Sequence, residues 1–307
     1  SGLDASVAVD AAHLETEGIP ASSGRCRFWT AVAGYRAPAV RTHFGRPKVS
    51  PSVRVAQVAP LGRELVASAA VDAGEVLIRL PPELCIPAPG GEGAAEEVPE
   101  DVRLAASLLE VAESDYWSAY RAIWPTREDL EERMPVFWGQ ARFEGLRPRL
   151  PGLEAQVRSR RKLLREAASL LGAPLDRLTW AHALVSARAV GAGIDACAMI
   201  PGVDMANHDV APNAELVVAG LPGVATGRAT VTKLGEVWPQ GTASIVAMGD
   251  IAVDEPIRIS YGRYPNQRLI LDYGFSLGAI NPSGEEEEKE EVSEAVKSAR
   301  GWSWRED

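Results

Sequence analysis

An α+β fold is what this sequence predicts, with short strands, a helical insertion and then strands again. Three observations carry that expectation. Residues 53–80 hold three short runs rich in Val, Leu and Ile, separated by the turn-forming stretches Pro60-Leu-Gly62 and Asp72-Ala-Gly74. From about residue 100 the apolar residues recur at spacings of three and four, the period of a helix face. Beyond residue 213 the strand pattern returns, interrupted by Gly and Pro.

Residues 1–48 mix Gly, Ala, Pro, Arg and Ser with little periodicity and read as an N-terminal extension. A core over 49–280 follows, divided into a first strand part (49–87), a helical insertion (88–195) and a closing part (196–280). Strands are expected at 53–58, 64–69 and 75–80. The stretch Pro87-Ala-Pro-Gly-Gly-Glu-Gly93 then breaks the pattern. Leu104, Leu108 and Val111 predict one helix, and Val157, Leu164, Ala168 and Leu171 another. Residues 176–190 predict a third, with Leu178, Ala181 and Val185 on one face and Arg188 near its end. Trp117 and Tyr120 are three apart, so they share a face, and core packing without a chemical role is their expected job. The closing strands are expected at 214–218, 226–231, 243–248 and 258–261.

The chain has 307 residues, enough for one elaborated domain or two smaller ones, with 46% apolar and 24% charged residues, as in globular proteins. Its net charge of -10 works against a polyphosphate partner, so nucleic-acid binding is disfavoured. No apolar run reaches the ~18 residues of a membrane span. Cys26, Cys85 and Cys197 are widely spaced and follow no metal-ligand pattern, so no metal site is expected and buried free thiols are the default. After Asn281-Pro-Ser-Gly284 comes an acidic tail over 281–307, with six Glu and one Lys in residues 285–291 and with Trp302 and Trp304 near its end.

The chemistry-bearing residues fall into two segments. Asp204-Met-Ala-Asn-His208 is one; Tyr261-Gly262, Asn266 and Asp272-Tyr-Gly-Phe275 form the other. The Asn207 amide donates and accepts at once, and His208 can present one ring nitrogen outward while a neighbour fixes the other, so the pair suits a purine edge. Tyr261 ends a strand-like run at a glycine-bearing turn, and Tyr273 follows as a second wall. Phenol rings and backbone carbonyls can surround a sulfonium and an amine without placing a full negative charge there. Taken singly, Asn207 reads as a turn cap, His208 as a core histidine and the tyrosines as packing. The ordered set favours a site.

Together these segments resemble the two halves of a SET-domain active site, in the branch typified by the Rubisco large-subunit methyltransferase and the actin histidine methyltransferase. Gly62-Arg-Glu-Leu-Val-Ala67 with Ala73-Gly-Glu-Val-Leu77 resembles the opening of that family, and Tyr116-Trp-Ser-Ala-Tyr120 with Trp124-Pro125 resembles its Trp, Tyr and Leu-Pro pattern. The resemblance covers residues 50–280. It implies a SET-domain β-fold with a threaded C-terminal segment, a rare exception to unknotted topology, and a helical insertion. It also implies S-adenosylmethionine as cofactor and a protein substrate methylated on Lys, with His as the alternative acceptor.

By that resemblance Tyr261 faces the sulfonium methyl group as the catalytic residue. Gly62, Glu64, Arg188, Asn207 and His208 bind the cofactor, Arg188 through its carboxylate. The Asp204 carbonyl orients the acceptor amine, and Tyr273 walls the substrate side with Phe275. Two positions depart from the family: Glu64 stands where a second glycine is usual, bringing bulk and charge near the cofactor carboxylate, and Pro265 replaces a Ser. Family members also carry a helical substrate-binding domain after Tyr-Gly-Phe, where about thirty residues follow here. These departures support a second expectation, a catalytically impaired SET-like subunit of a larger, plastid assembly, its apolar surface near Tyr273 and Phe275 covered by the tail or a partner. The chain begins at Ser1 without Met, which fits either a processed N-terminus or an artificial boundary; in the first case the resemblance implies a chloroplast location, with cytoplasm and nucleus as alternatives.

Overall fold

A computed structural model describes residues 47–58, 62–81, 84–90, 93–191, 197–219 and 242–278. The N-terminal extension up to residue 46, Cys26, the Pro60-Leu61 turn, the strand expected at 226–231 and the acidic tail with Trp302 and Trp304 lie outside them.

Strands β1 (Lys48–Val49), β2 (Val53–Val58), β3 (Gly62–Ala67), β4 (Val76–Leu80) and β5 (Ile86–Pro87) come first. Hairpin β2–β3 is antiparallel, pairing Val53 with Ala67 and Ala56 with Glu64. Expected strands at 64–69 and 75–80 are thus shifted by one or two residues, because strand ends are set by pairing rather than by propensity. In β4, Leu77, Ile78 and Leu80 are fully buried.

Helices α1 (Glu100–Val111), α2 (Ser118–Arg121), α3 (Arg127–Arg133), α4 (Gln140–Leu146), α5 (Leu153–Leu171) and α6 (Leu175–Arg188) follow. α1 opens after Pro99 with Glu100 and Asp101 in its first turn, where acidic groups complement the helix dipole, and it buries Val102, Leu104, Ala105 and Leu108. α3 opens with a capping box: the Asp129 amide donates to Thr126 Oγ1 at 3.1 Å and the Thr126 amide to Asp129 Oδ2 at 3.0 Å. α6 packs against α1 and buries an unbroken run from Ala181 to Ser186, so it runs through the interior and delivers Arg188 from its last turn.

The closing part holds β6 (Ala198–Met199), β7 (Asn207–His208), β8 (Ala214–Ala219), β9 (Thr242–Ala247), β10 (Arg258–Ile259) and α7 (Asn266–Tyr273). β1, β4, β9 and β8 form one antiparallel sheet in that order. β9 is central, and Ala243 to Ala247 are all buried, the continuous burial of a strand covered on both faces. The strand expected at 258–261 stops at Ile259, so Tyr261 lies in the turn beyond it.

Helix α7 is absent from the sequence expectation. Pro265 precedes it, and its C-terminal cap Gly274 has φ 76°, where a Cβ would meet Met134 Sδ at 3.0 Å and the Arg133 carbonyl at 3.1 Å. From α5, Arg160 donates to the Leu271 carbonyl at 2.8 Å and pairs with Asp272 at 2.6 Å. That clamp fixes the end of α7 that carries Tyr273.

Candidate active site

Two strands of two residues each decide where the site forms. β7 and β10 pair in parallel, Asn207 beside Arg258 and His208 beside Ile259, which joins the two chemistry-bearing segments. Past β10 the chain turns at Gly262, φ 118°, where a Cβ would lie 3.1 Å from the Tyr264 ring. The turn aims the Tyr261 amide at His208 Nδ1, 3.0 Å away, and the Tyr261 hydroxyl donates to the Ala206 carbonyl at 2.9 Å. Because Nδ1 accepts, neutral His208 carries its proton on Nε2. Burial moves the His208 pKa below 6.5, with Asp209 opposing, so the neutral form is favoured.

Aromatic rings close around this pair. Tyr273 lies 4.9 Å from Tyr261 between ring centroids, His208 lies 5.3 Å from it, and Phe275 lies 6.0 Å from His208. Tyr264, which sequence reasoning did not single out, stacks on Tyr273 at 6.4 Å, with the Arg268 guanidinium 4.0 Å over its own ring. Burial pushes the Tyr261 phenol up to about 12, against the Arg188 guanidinium and with the Asp204 and Glu64 carboxylates adding to the rise. Tyr261 is therefore a neutral phenol near pH 7. It can donate to Ala206 and offer lone pairs to an amine, but it is no resident base.

Arg188 and Asp204 sit together. Arg188 Nη1 donates to the Asp204 carbonyl at 2.9 Å, the same carbonyl expected to orient an amine. The Asp204 side chain is fully buried; it accepts from Tyr120 Oη at 2.7 Å and from the Gly202 amide at 2.8 Å, with Arg188 at 3.8 Å. Burial raises the Asp204 pKa above 3.8 despite Arg188, Tyr120 and the Gly202 amide, which favour the carboxylate. Tyr120, expected only to pack, is thus a hydrogen-bonding link between the insertion and the Asn-His segment. Its hydroxyl was missed because residue spacing reports a helix face and not what lies across the core from it.

Glu64, expected at the start of a strand and near the cofactor carboxylate, lies inside strand β3, is fully buried, and pairs through Oε1 with Arg258 Nε at 3.0 Å, leaving Oε2 without a hydrogen-bond partner among the described residues. Arg258 also holds Asp209 at 3.0 Å, next to His208. Arg258 was missed although a lone Arg amid Ile257 and Ile259 signals a buried partner. Gly62 opens β3, and the neighbouring Arg63 carbonyl accepts from Asn207 Nδ2 at 3.3 Å. Among the described residues no cluster of three or more His, Cys, Asp or Glu could hold a metal ion.

No family model matches the chain, and no curated protein matches it by sequence. Solved structures do. The SET domain of LSMT bound to lysine and S-adenosylhomocysteine superposes with a TM-score of 0.58 at 18% identity, over 90% of this chain and 65% of that one. Rubisco LSMT bound to S-adenosylmethionine gives a TM-score of 0.57 at 20% identity, over 84% and 57%. A complex of Rubisco LSMT with sinefungin and monomethyllysine gives 0.53 at 20% identity, over 74% and 52%. The chain therefore spans about two thirds or less of the length of these proteins, and it has the SET-domain fold.

Proposed function

We propose that this chain is an S-adenosylmethionine-dependent protein methyltransferase whose acceptor is a Lys side chain, with His as the alternative. The observation that carries the reading is the meeting of Asn207-His208 with Tyr261 through the β7–β10 pairing, inside a shell made by Tyr273 and Phe275. The residues present suit the cofactor. His208 has a fixed Nε2–H donor, Arg188 brings a cation, and the aromatic faces suit a sulfonium. When bound, S-adenosylmethionine supplies an electrophilic methyl group; LSMT structures hold this cofactor or its relatives, and lysine or methyl-lysine, on the same fold.

The chain's own residues then do three things. Asn207 and His208 orient the adenine end. Tyr261, neutral and tied to the Ala206 carbonyl, offers oxygen lone pairs that align an incoming amine. The apolar shell favours the uncharged form of a Lys amine, whose solution pKa is ~10.4. Positioning of this kind is worth several orders of magnitude in rate. Gly62 and Glu64 enter as the strand that presents the Arg63 carbonyl to Asn207, Glu64 acting through Arg258.

A second reading, an impaired subunit of a larger plastid complex, is favoured by Glu64, which stands where the family usually has glycine and is buried with Oε2 lacking a hydrogen-bond partner among the described residues. Calorimetry separates the two. S-adenosylmethionine is expected to bind the purified chain, more weakly after Asn207→Ala; no heat and no thermal shift at millimolar cofactor would leave the subunit reading.

A further inference from the structure

A cavity of about 480 Å³ lies behind the Arg63 strand, between the chain that joins α2 to α3 and the first half of α6. Its wall carries four arginines, Arg63, Arg121, Arg127 and Arg177, and two tryptophans, Trp124 and Trp180, and no carboxylate among the described residues. In a chain of net charge -10 this wall gathers cations, with Glu113, Glu131 and Asp176 set behind it as partners of Arg127 and Arg177. The volume falls in the small-molecule range.

The arginines are placed to exchange partners. Arg127 pairs with Glu131 at 2.7 Å and Asp176 at 3.8 Å, and Arg177 with Glu113 at 2.7 Å, all between side chains that keep 46–72% of their surface. Exposed pairs of this kind are held loosely, so a multiply charged oxyanion can displace them. Arg121 is held in the wall by its Nη1 donation to the Ala112 carbonyl and adds positive charge behind Arg127 and Arg177. Trp180 is only partly buried and stands 6.0 Å from Trp124 between ring centroids, offering a planar face beside the guanidinium groups.

We propose that this cavity binds a nucleoside diphosphate or a compound of the same chemistry, a planar ring carrying a polyphosphate. The guanidinium forks of Arg127 and Arg177 hold the phosphate oxygens, and Trp180 takes the ring. A pocket of this size suits a small molecule better than an acidic protein segment, which needs an extended groove. The site is separate from the Tyr261 cluster but shares the β3 backbone with it through the Asn207 bond to the Arg63 carbonyl.

Titration of the full chain with ADP, followed by calorimetry and tryptophan fluorescence, tests this. ADP is expected to bind with a Kd of about 1 mM or tighter. Adenosine and pyrophosphate should each bind about tenfold more weakly, and Arg127→Ala combined with Arg177→Ala should weaken ADP by about tenfold with an unchanged melting profile. Saturating S-adenosylhomocysteine should leave the ADP isotherm in place. No binding at several millimolar ADP, or binding indifferent to the double substitution, would overturn the assignment. Displacement by S-adenosylhomocysteine would place ADP in the aromatic site instead and overturn it too, and pyrophosphate matching ADP would overturn the nucleoside class. Because ADP binding is read directly, a chain inactive in methyl transfer would still reveal whether the cavity is occupied.

Discussion

The backbone amide of Tyr261 donates to Nδ1 of His208 across 3.0 Å, tying together residues 53 apart in the chain. The bond needs an unprotonated Nδ1. Burial holds the folded pKa of His208 below 6.5, so the unfolded chain binds the proton more readily. The stability that follows is present above pH 6.5 and is lost as pH falls from there through the folded value. Thermal melts between pH 7.5 and pH 5 should show that loss, and His208→Gln should flatten it. An equal slope in both proteins would show that His208 is not the titrating group.

Tyr261→Phe removes the hydroxyl and leaves the ring packing against Tyr273. If the chain is active, kcat should fall by about 10²-fold, as for loss of one preorganised polar group, while S-adenosylmethionine affinity changes little. Since the phenol titrates only near 12, the rise of rate with pH below 10 should come from the acceptor amine and keep its position in the variant. A parallel loss of binding and turnover would make Tyr261 a packing or binding residue.

Glu64 invites replacement by the glycine usual in the family. On sequence grounds that change relieves crowding and tightens cofactor binding. The structure adds a cost in stability, because removal of the buried carboxylate takes one of the two ion-pair partners of Arg258. The cost should be about 2–3 kcal/mol, toward the lower side for buried pairs, since Arg258 keeps 30% of its side-chain surface and retains Asp209. Urea unfolding of Glu64→Gly, alone and with Arg258→Met, measures it. The double variant should recover part of the loss; a fully stable single variant would show that the pair contributes nothing.

Tyr120→Phe leaves Asp204 with one fewer donor in a site where burial already disfavours its charge. Loss of a buried bond to a charged acceptor costs about 1.5–3 kcal/mol. The same variant should weaken S-adenosylmethionine binding, because Arg188 is anchored to the Asp204 carbonyl. Chemical unfolding and calorimetry on one preparation separate the two effects. Unchanged stability would mean that the Tyr120–Asp204 bond is replaced by solvent.

The sequence by itself determined the strand–helix–strand order and singled out Asn207-His208, Tyr261 and Tyr273, which the fold brings together. Local period and dipeptide chemistry are properties of neighbouring residues, so they can be read along the chain. It also placed Arg188 near the end of its helix, where α6 delivers it. Only the tertiary structure decided what each polar group meets. Glu64 finds Arg258, Tyr120 finds Asp204, and Arg188 takes the carbonyl assigned to a substrate amine, partners 194, 84 and 16 residues away. Helix α7 escaped notice for a related reason: its eight residues bury only Leu269, and it is held by Arg160 from α5 and by the fit of Gly274 against Met134. A short helix of that kind owes its stability to packing contacts, and those contacts have no period in the sequence.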